Sequence, residues 1–192
     1  MRKTSLLLVP AACALLLTGC SSDHAKSYDP SNTSCPSTDA PDNTKTQWTV
    51  KGTTGEARIA AGTDEHGPVI NVTTPFAVNE TQVQTLTTGD GPVVKEGDTV
   101  YVCYEGVNGR TGDVFDSSYG RGEATSFPAQ QPSATQSGVI PGFVKALVGQ
   151  KGGSHVGAVI PSEDGYPQGT PDGSIKPGDT IVFEMKIARV GD

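Results

Sequence analysis

Side chains suited to covalent chemistry are sparse in this sequence. His24, His66 and His155 show no metal-ligand spacing. No Ser/His/Asp constellation, phosphate-cradling loop or paired-carboxylate pattern stands out, and Gly149 to Gly153 reads as a glycine-rich turn after a helix. The aromatic residues include Tyr104, Phe115 beside Asp116, Phe127, Phe143, Tyr166 and Phe183. Taken singly, the apolar residues read as core, Asp116 as a turn residue before Ser117-Ser118, and Tyr166 as a surface aromatic in the turn-rich run from Pro161 to Gly169. Their types and spacing alone do not gather them into one site. Beside Phe115, an Asp116 carboxylate at an apolar rim would need a hydrogen-bond donor, because it is costly without one.

The elements that must hold these side chains centre on residues 139–149. Pro141 suits the first helical position and Gly149 the residue just past the end. Phe143 and Leu147, four apart, share a face. A helix of about two turns does not persist alone in water, so it must lie on an apolar surface. The flanking segments supply one. In Thr99–Glu105, Val100, Val102 and Tyr104 alternate with Tyr101, Cys103 and Glu105. In Ile181–Ile187, Ile181, Phe183, Met185 and Ile187 face one way, with Glu184 and Lys186 opposite. That pattern predicts half-buried antiparallel strands with one dry face. The expected class is α+β. For Phe115 and Asp116 to serve one pocket, strict alternation must break there, at a bulge or a strand end.

In chain order, Tyr104, Val114-Phe115-Asp116-Ser117-Ser118, Val139-Ile140-x-Gly142-Phe143, Ile160-Pro161-x-x-x-x-Tyr166 and Thr180-Ile181-Val182-Phe183 resemble the FKBP-type peptidyl-prolyl isomerases. The resemblance runs from about Val83 to Val190. It implies an FKBP-like antiparallel sheet of about five strands wrapped round one short helix. It further implies a hollow lined by Phe115, Phe127, Val139, Ile140, Phe143, Ile175 and Phe183, with Phe143 as its floor. Asp116 would pair with Tyr104, and the Tyr166 hydroxyl would donate to the substrate backbone. Those three residues carry the implied catalysis, which uses no metal and no cofactor. Proline-containing polypeptides are the implied clients, and macrolides the implied inhibitors. The sequence departs from the family in three places: Phe143 where the floor is most often tryptophan, Pro167 where glycine is common, and a longer stretch between Phe127 and Val139. These departures also suit a second reading, a non-catalytic binding or chaperone module on a surface lipoprotein.

The rest of the chain sets the context. Residues 1–19 read as a lipoprotein signal peptide: Arg2 and Lys3, an apolar run from Leu6 to Leu17, then Leu17-Thr18-Gly19-Cys20 as a lipobox. Cys20 is the expected lipidation site, so the expected location is extracytoplasmic, anchored to a bacterial cell membrane. Residues 20–47, rich in Ser, Thr, Asp, Asn and Pro, read as a flexible tether. Residues 48–79 carry three candidate strands, expected to pair with an edge of the sheet formed by an isomerase domain at 80–192. Cys35 and Cys103 remain as thiols that an oxidising compartment would allow to pair. The net charge of −7 lacks the basic footprint that nucleic-acid binding requires.

Overall fold

The computed structural model describes residues 27–191; the signal segment and Cys20 lie outside the described residues. Two antiparallel sheets form the body. The larger comprises β4 (Gln82–Thr87), β5 (Thr99–Asn108), β6 (Val114–Ser117), β7 (Thr125–Pro128), β8 (His155–Ile160) and β9 (Ile181–Val190), in the order β4-β8-β9-β5-β6. Strands β6 and β7 share one edge of β5: β7 pairs with Thr99–Val102 and β6 with Glu105–Val107. The sheet is therefore five strands wide, as expected, although six strands build it.

The single α-helix among the described residues, α1 (Pro141–Leu147), begins on Pro141 and lies across the front of this sheet, against β8. Phe143, Ala146 and Leu147 enter a core with Val100, Val102 and Tyr104 of β5, Val156, Ala158 and Ile160 of β8, and Ile181, Phe183, Met185 and Ile187 of β9. The alternation of β5 and β9 puts these rows on one face. Val144 and Val148, the other pair spaced by four, are left at the solvent flank, with Val148 exposed.

The back of the sheet differs from expectation. Residues 48–79 form their own sheet, β1 (Trp48–Lys51), β2 (Thr54–Ala60) and β3 (Val69–Ala77), in the order β1-β2-β3. They do not extend an edge of the larger sheet; they cover its back face. Val50, Ala57, Ile59, Phe76 and Val78 pack with Val107, Val159 and Val182 in a second core. The physical reason is that β5, β8 and β9 are apolar on both sides at one end: Val107, Val159 and Val182 need cover just as Phe183 does. Gly157 allows the close approach, since a β-carbon there would stand 2.8 Å from the Trp48 ring.

Residues 27–47 also depart from the solvated tether expected of them. They form a strap across the other end of the back face. The Tyr28 hydroxyl accepts from the Val190 amide at 3.0 Å, and the Tyr28 amide donates to Asp90 at 2.7 Å. Thr38 accepts from the Gly67 amide at 2.8 Å. Cys35 is disulfide-bonded to Cys103 and buried. Between the strap and the small sheet, Glu184 is 0% exposed rather than solvated. Its carboxylate accepts from the Tyr119 hydroxyl at 2.9 Å and pairs with His155 Nδ1 at 2.7 Å, which offsets the cost of burying it.

Because the small sheet is packed as core, trimming it should be felt globally. Ile59→Ala is expected to lower unfolding free energy by about 2–5 kcal/mol in urea titrations, with one cooperative transition for the whole described body. A separate early transition for residues 48–79 would show that they fold independently.

Candidate functional site

On the front face, one end of the sheet opens into a hollow of about 470 Å³. Its base is built by rings from α1 and from four strands of the sheet. Phe143 of α1 stands edge-on to Phe183 of β9 (centroids 5.2 Å apart, 82°), to Phe127 of β7 (5.5 Å, 72°) and to Tyr104 of β5 (6.1 Å, 89°). Phe115 stands edge-on to Phe183 at 5.6 Å. Such tilted contacts suit ring quadrupoles and fix each ring's orientation. Phe143 is 4% exposed and so forms a floor.

Phe115 reaches this cluster through a local irregularity. Along β6, Asp116 pairs with Gly106 but Val114 pairs with Val107, so two steps on β6 oppose one on β5. The extra residue is Phe115. This bulge lets Phe115 and Asp116 both line the hollow, which regular alternation forbids. Opposite it, Gly106 leaves room for the rings: a β-carbon there would lie 2.6 Å from both Phe115 and Phe183.

Asp116 forms the polar rim. The Tyr104 hydroxyl donates to its Oδ2 at 2.5 Å, and Arg121 Nη1 donates to its Oδ1 at 2.6 Å. Arg121 Nη2 also donates to the Tyr104 hydroxyl oxygen at 2.9 Å, closing a three-residue network. Burial alone would raise the Asp116 pKa, but the Tyr104 and Arg121 hydrogen bonds outweigh it and hold the carboxyl below the usual aspartate range. Tyr104 moves the other way, raised first by burial and then by its bond to Asp116. Tyr166 closes the opposite side from the loop after β8. Its phenol is pushed up by burial and by the Asp116 charge, and among the described residues its hydroxyl has no hydrogen-bond partner. The loop is tied to α1 by Asp164, which accepts from Lys145 and from Thr81, each at 2.5 Å.

Tyr104, Phe115, Asp116, Phe127, Val139, Ile140, Phe143, Tyr166 and Phe183 thus converge as the sequence suggested. Ile175 does not line the hollow. It is 2% exposed within the core, drawn in by a turn in which its amide donates to Thr170 Oγ1 and its carbonyl accepts from the Thr170 amide. Four lining residues went unforeseen: Pro132 and Gly138 from the long stretch before α1, with Pro141 and Gly165. The main omission was Arg121. Its signal was a lone cation five residues after a carboxylate that needed a donor. Among the described residues no three His, Cys, Asp or Glu side chains gather as metal ligands. The arrangement can enclose an apolar group against rings while presenting one unengaged phenol and one ion-paired carboxylate at the rim.

A protein-family model described as FKBP-type peptidyl-prolyl cis-trans isomerase matches residues 91–188. An FK506-binding protein of Streptomyces anulatus is 39% identical over 103 residues, spanning 53% of this chain and 79% of that protein. The FKBP-type 22 kDa peptidyl-prolyl cis-trans isomerase of Escherichia coli is 36% identical over 109 residues, 57% of this chain and 49% of that protein. The crystal structure of FkpA from Escherichia coli superposes with a TM-score of 0.50 at 37% identity, over 58% of this chain and 48% of that one. The chain therefore spans about half the length of the two Escherichia coli proteins.

The Asp116 network carries a pH signature. A carboxyl held low in the folded state adds stability above its unfolded pKa, and that stability is lost as pH falls through the folded value. In Arg121→Gln, the Asp116 carboxyl is expected to titrate at higher pH in carbon-detected NMR, and acid unfolding to begin at higher pH. An unchanged Asp116 titration would show that Arg121 does not hold the carboxylate.

Proposed function

Because the chain belongs to the FKBP-type peptidyl-prolyl cis-trans isomerase family, we propose that the hollow encloses an X–Pro bond of a client polypeptide and accelerates its cis–trans exchange. The observation that carries this reading is the convergence of Tyr104, Phe143, Tyr166 and Phe183 around one apolar space with Asp116 at its rim.

The chemistry follows from the amide. Rotation about X–Pro crosses a barrier of about 18–20 kcal/mol, because twisting loses the resonance that keeps the bond planar. The twisted amide is less dipolar than the planar one. A water-poor, ring-lined space therefore disfavours the ground state more than the transition state, and binding energy appears preferentially at the top of the barrier. A ten-thousand-fold acceleration asks for about 5.4 kcal/mol. Desolvation by the rings and one or two aimed donors are together of that order. Tyr166 is the donor suited to the client carbonyl, since its hydroxyl is unengaged among the described residues. Asp116, held ionised by Tyr104 and Arg121, supplies a fixed negative field at the rim where the X–Pro amide would enter. No bond is made or broken, so neither a nucleophile nor a general base is needed.

We assign the clients to exported proteins folding outside the cytoplasm, with the domain held at a bacterial membrane through lipidated Cys20. The lipobox Leu17 to Cys20 supports this, and the Cys35–Cys103 disulfide is consistent with an oxidising compartment. A macrolide that mimics a prolyl segment is expected to compete for the same hollow, over the smaller Phe143 floor.

The test is exchange NMR of a short X–Pro peptide with and without the protein. Acceleration is expected, reduced roughly tenfold or more by Asp116→Val and less by Tyr166→Phe, with both variants folded. Peptide binding without acceleration would favour a non-catalytic binding module. Unchanged rates in both variants would mean that the working pocket lies elsewhere.

A further inference from the structure

The disulfide belongs to the strap, which precedes the segment matched by the family model, yet it lies directly behind the site. Cys103 immediately precedes Tyr104 on β5 and takes the opposite face, where it bonds Cys35. Around that bond the strap pairs with one particular stretch of chain. The Cys35 amide donates to the Gly122 carbonyl at 3.1 Å, the Ala124 amide donates to the Thr33 carbonyl at 2.9 Å, and Ser34 and Glu123 form a bridge pair. Residues 122–124 directly follow Arg121. Tyr119, at the head of the same turn, packs on the disulfide with 3% exposure and anchors its hydroxyl on Glu184. On the other side, Ser118 Oγ accepts from the Tyr104 amide at 2.7 Å.

The stretch carrying Asp116 and Arg121 is thus gripped between Tyr104's own backbone and the strap. That grip has work to do. The Arg121 side chain is 50% exposed and its Asp116 partner 43%, and exposed ion pairs are too weak to order a long side chain alone. The groups facing Arg121 are Asp116, Tyr104 and Thr125, and those facing Asp116 are Tyr104, Arg121 and, through its charge, Tyr166. We infer that the Cys35–Cys103 disulfide and strap residues 33–35 are positioning residues for the Arg121–Asp116–Tyr104 rim, so that isomerisation depends on a strap outside the domain's own sheet. This rests on the isomerase reading of the site.

The test compares the full chain with Cys35→Ala/Cys103→Ala, each with and without Arg121→Gln, well below every melting temperature. The Cys variant is expected to lose about fivefold in kcat/KM, and its Asp116 carboxyl to titrate at higher pH. Added to Arg121→Gln, it should cost little more, because both changes act on one contact. Ala124→Pro keeps the disulfide but removes the hydrogen bond to Thr33; it should shift the same titration in the same direction, and it serves if the Cys variant does not fold. A lower melting temperature with unchanged kcat/KM and unchanged Asp116 titration would overturn the inference, as would losses that multiply with Arg121→Gln. A wild-type chain without exchange activity would defeat the isomerase reading only; the Asp116 titration then decides the positioning role by itself.

Discussion

A full negative charge has to stand at the mouth of an apolar cup without either filling the cup or leaving it. Asp116 meets that demand by taking its hydrogen bonds sideways, from the Tyr104 phenol and the Arg121 guanidinium, rather than from groups inside the cup. Everything near it follows from that constraint. The bulge at Phe115 turns carboxylate and ring to the same side. Gly106 leaves the space those rings occupy. The turn Tyr119–Arg121 returns the chain so that a cation reaches the carboxylate from outside.

The front and back of the sheet are coupled through the strands themselves. On β9, Phe183 faces the hollow while Val182 and Glu184 lie under the small sheet and the strap. On β5, Tyr104 faces the hollow and Cys103 the strap. Adjacent residues on one strand thus serve two cores. The spacing of β5 and β9, which sets how far apart the pocket rings stand, is restrained from both sides. That arrangement suits the proposed enclosure of an amide, which depends on closely held geometry.

What the sequence made legible was whatever repeats with a period or turns at a proline or glycine. The alternation of β9, the short helix opened by Pro141, and the order of the aromatic segments sufficed for the front of the molecule. The need for a break in alternation at Phe115 could be argued from the roles of two neighbours, and the bulge stands there. The back was harder to read. Val182 and Val159 take their cover from strands far earlier in the chain, with no periodic signature linking them. Residues 27–47 looked solvated because they bury almost no apolar area; backbone hydrogen bonds and one disulfide hold them, and composition registers neither. Arg121 was passed over because its role arises from the geometry of a turn, and Ile175 was misplaced because a turn's hydrogen bonds pull it inward.

The link between Cys35 and Cys103 closes a ring of chain with 68 residues of sequence separation. The ring contains the small sheet and β4. Closing a loop of that size removes on the order of 4 kcal/mol of freedom from the unfolded chain in the chain-entropy account. A protease nick between β2 and β3 would therefore open the ring without releasing a piece. The two fragments would stay covalently one molecule until the sulfur bridge was reduced, so a protein built this way can be cut at an outer loop and still keep its pocket assembled.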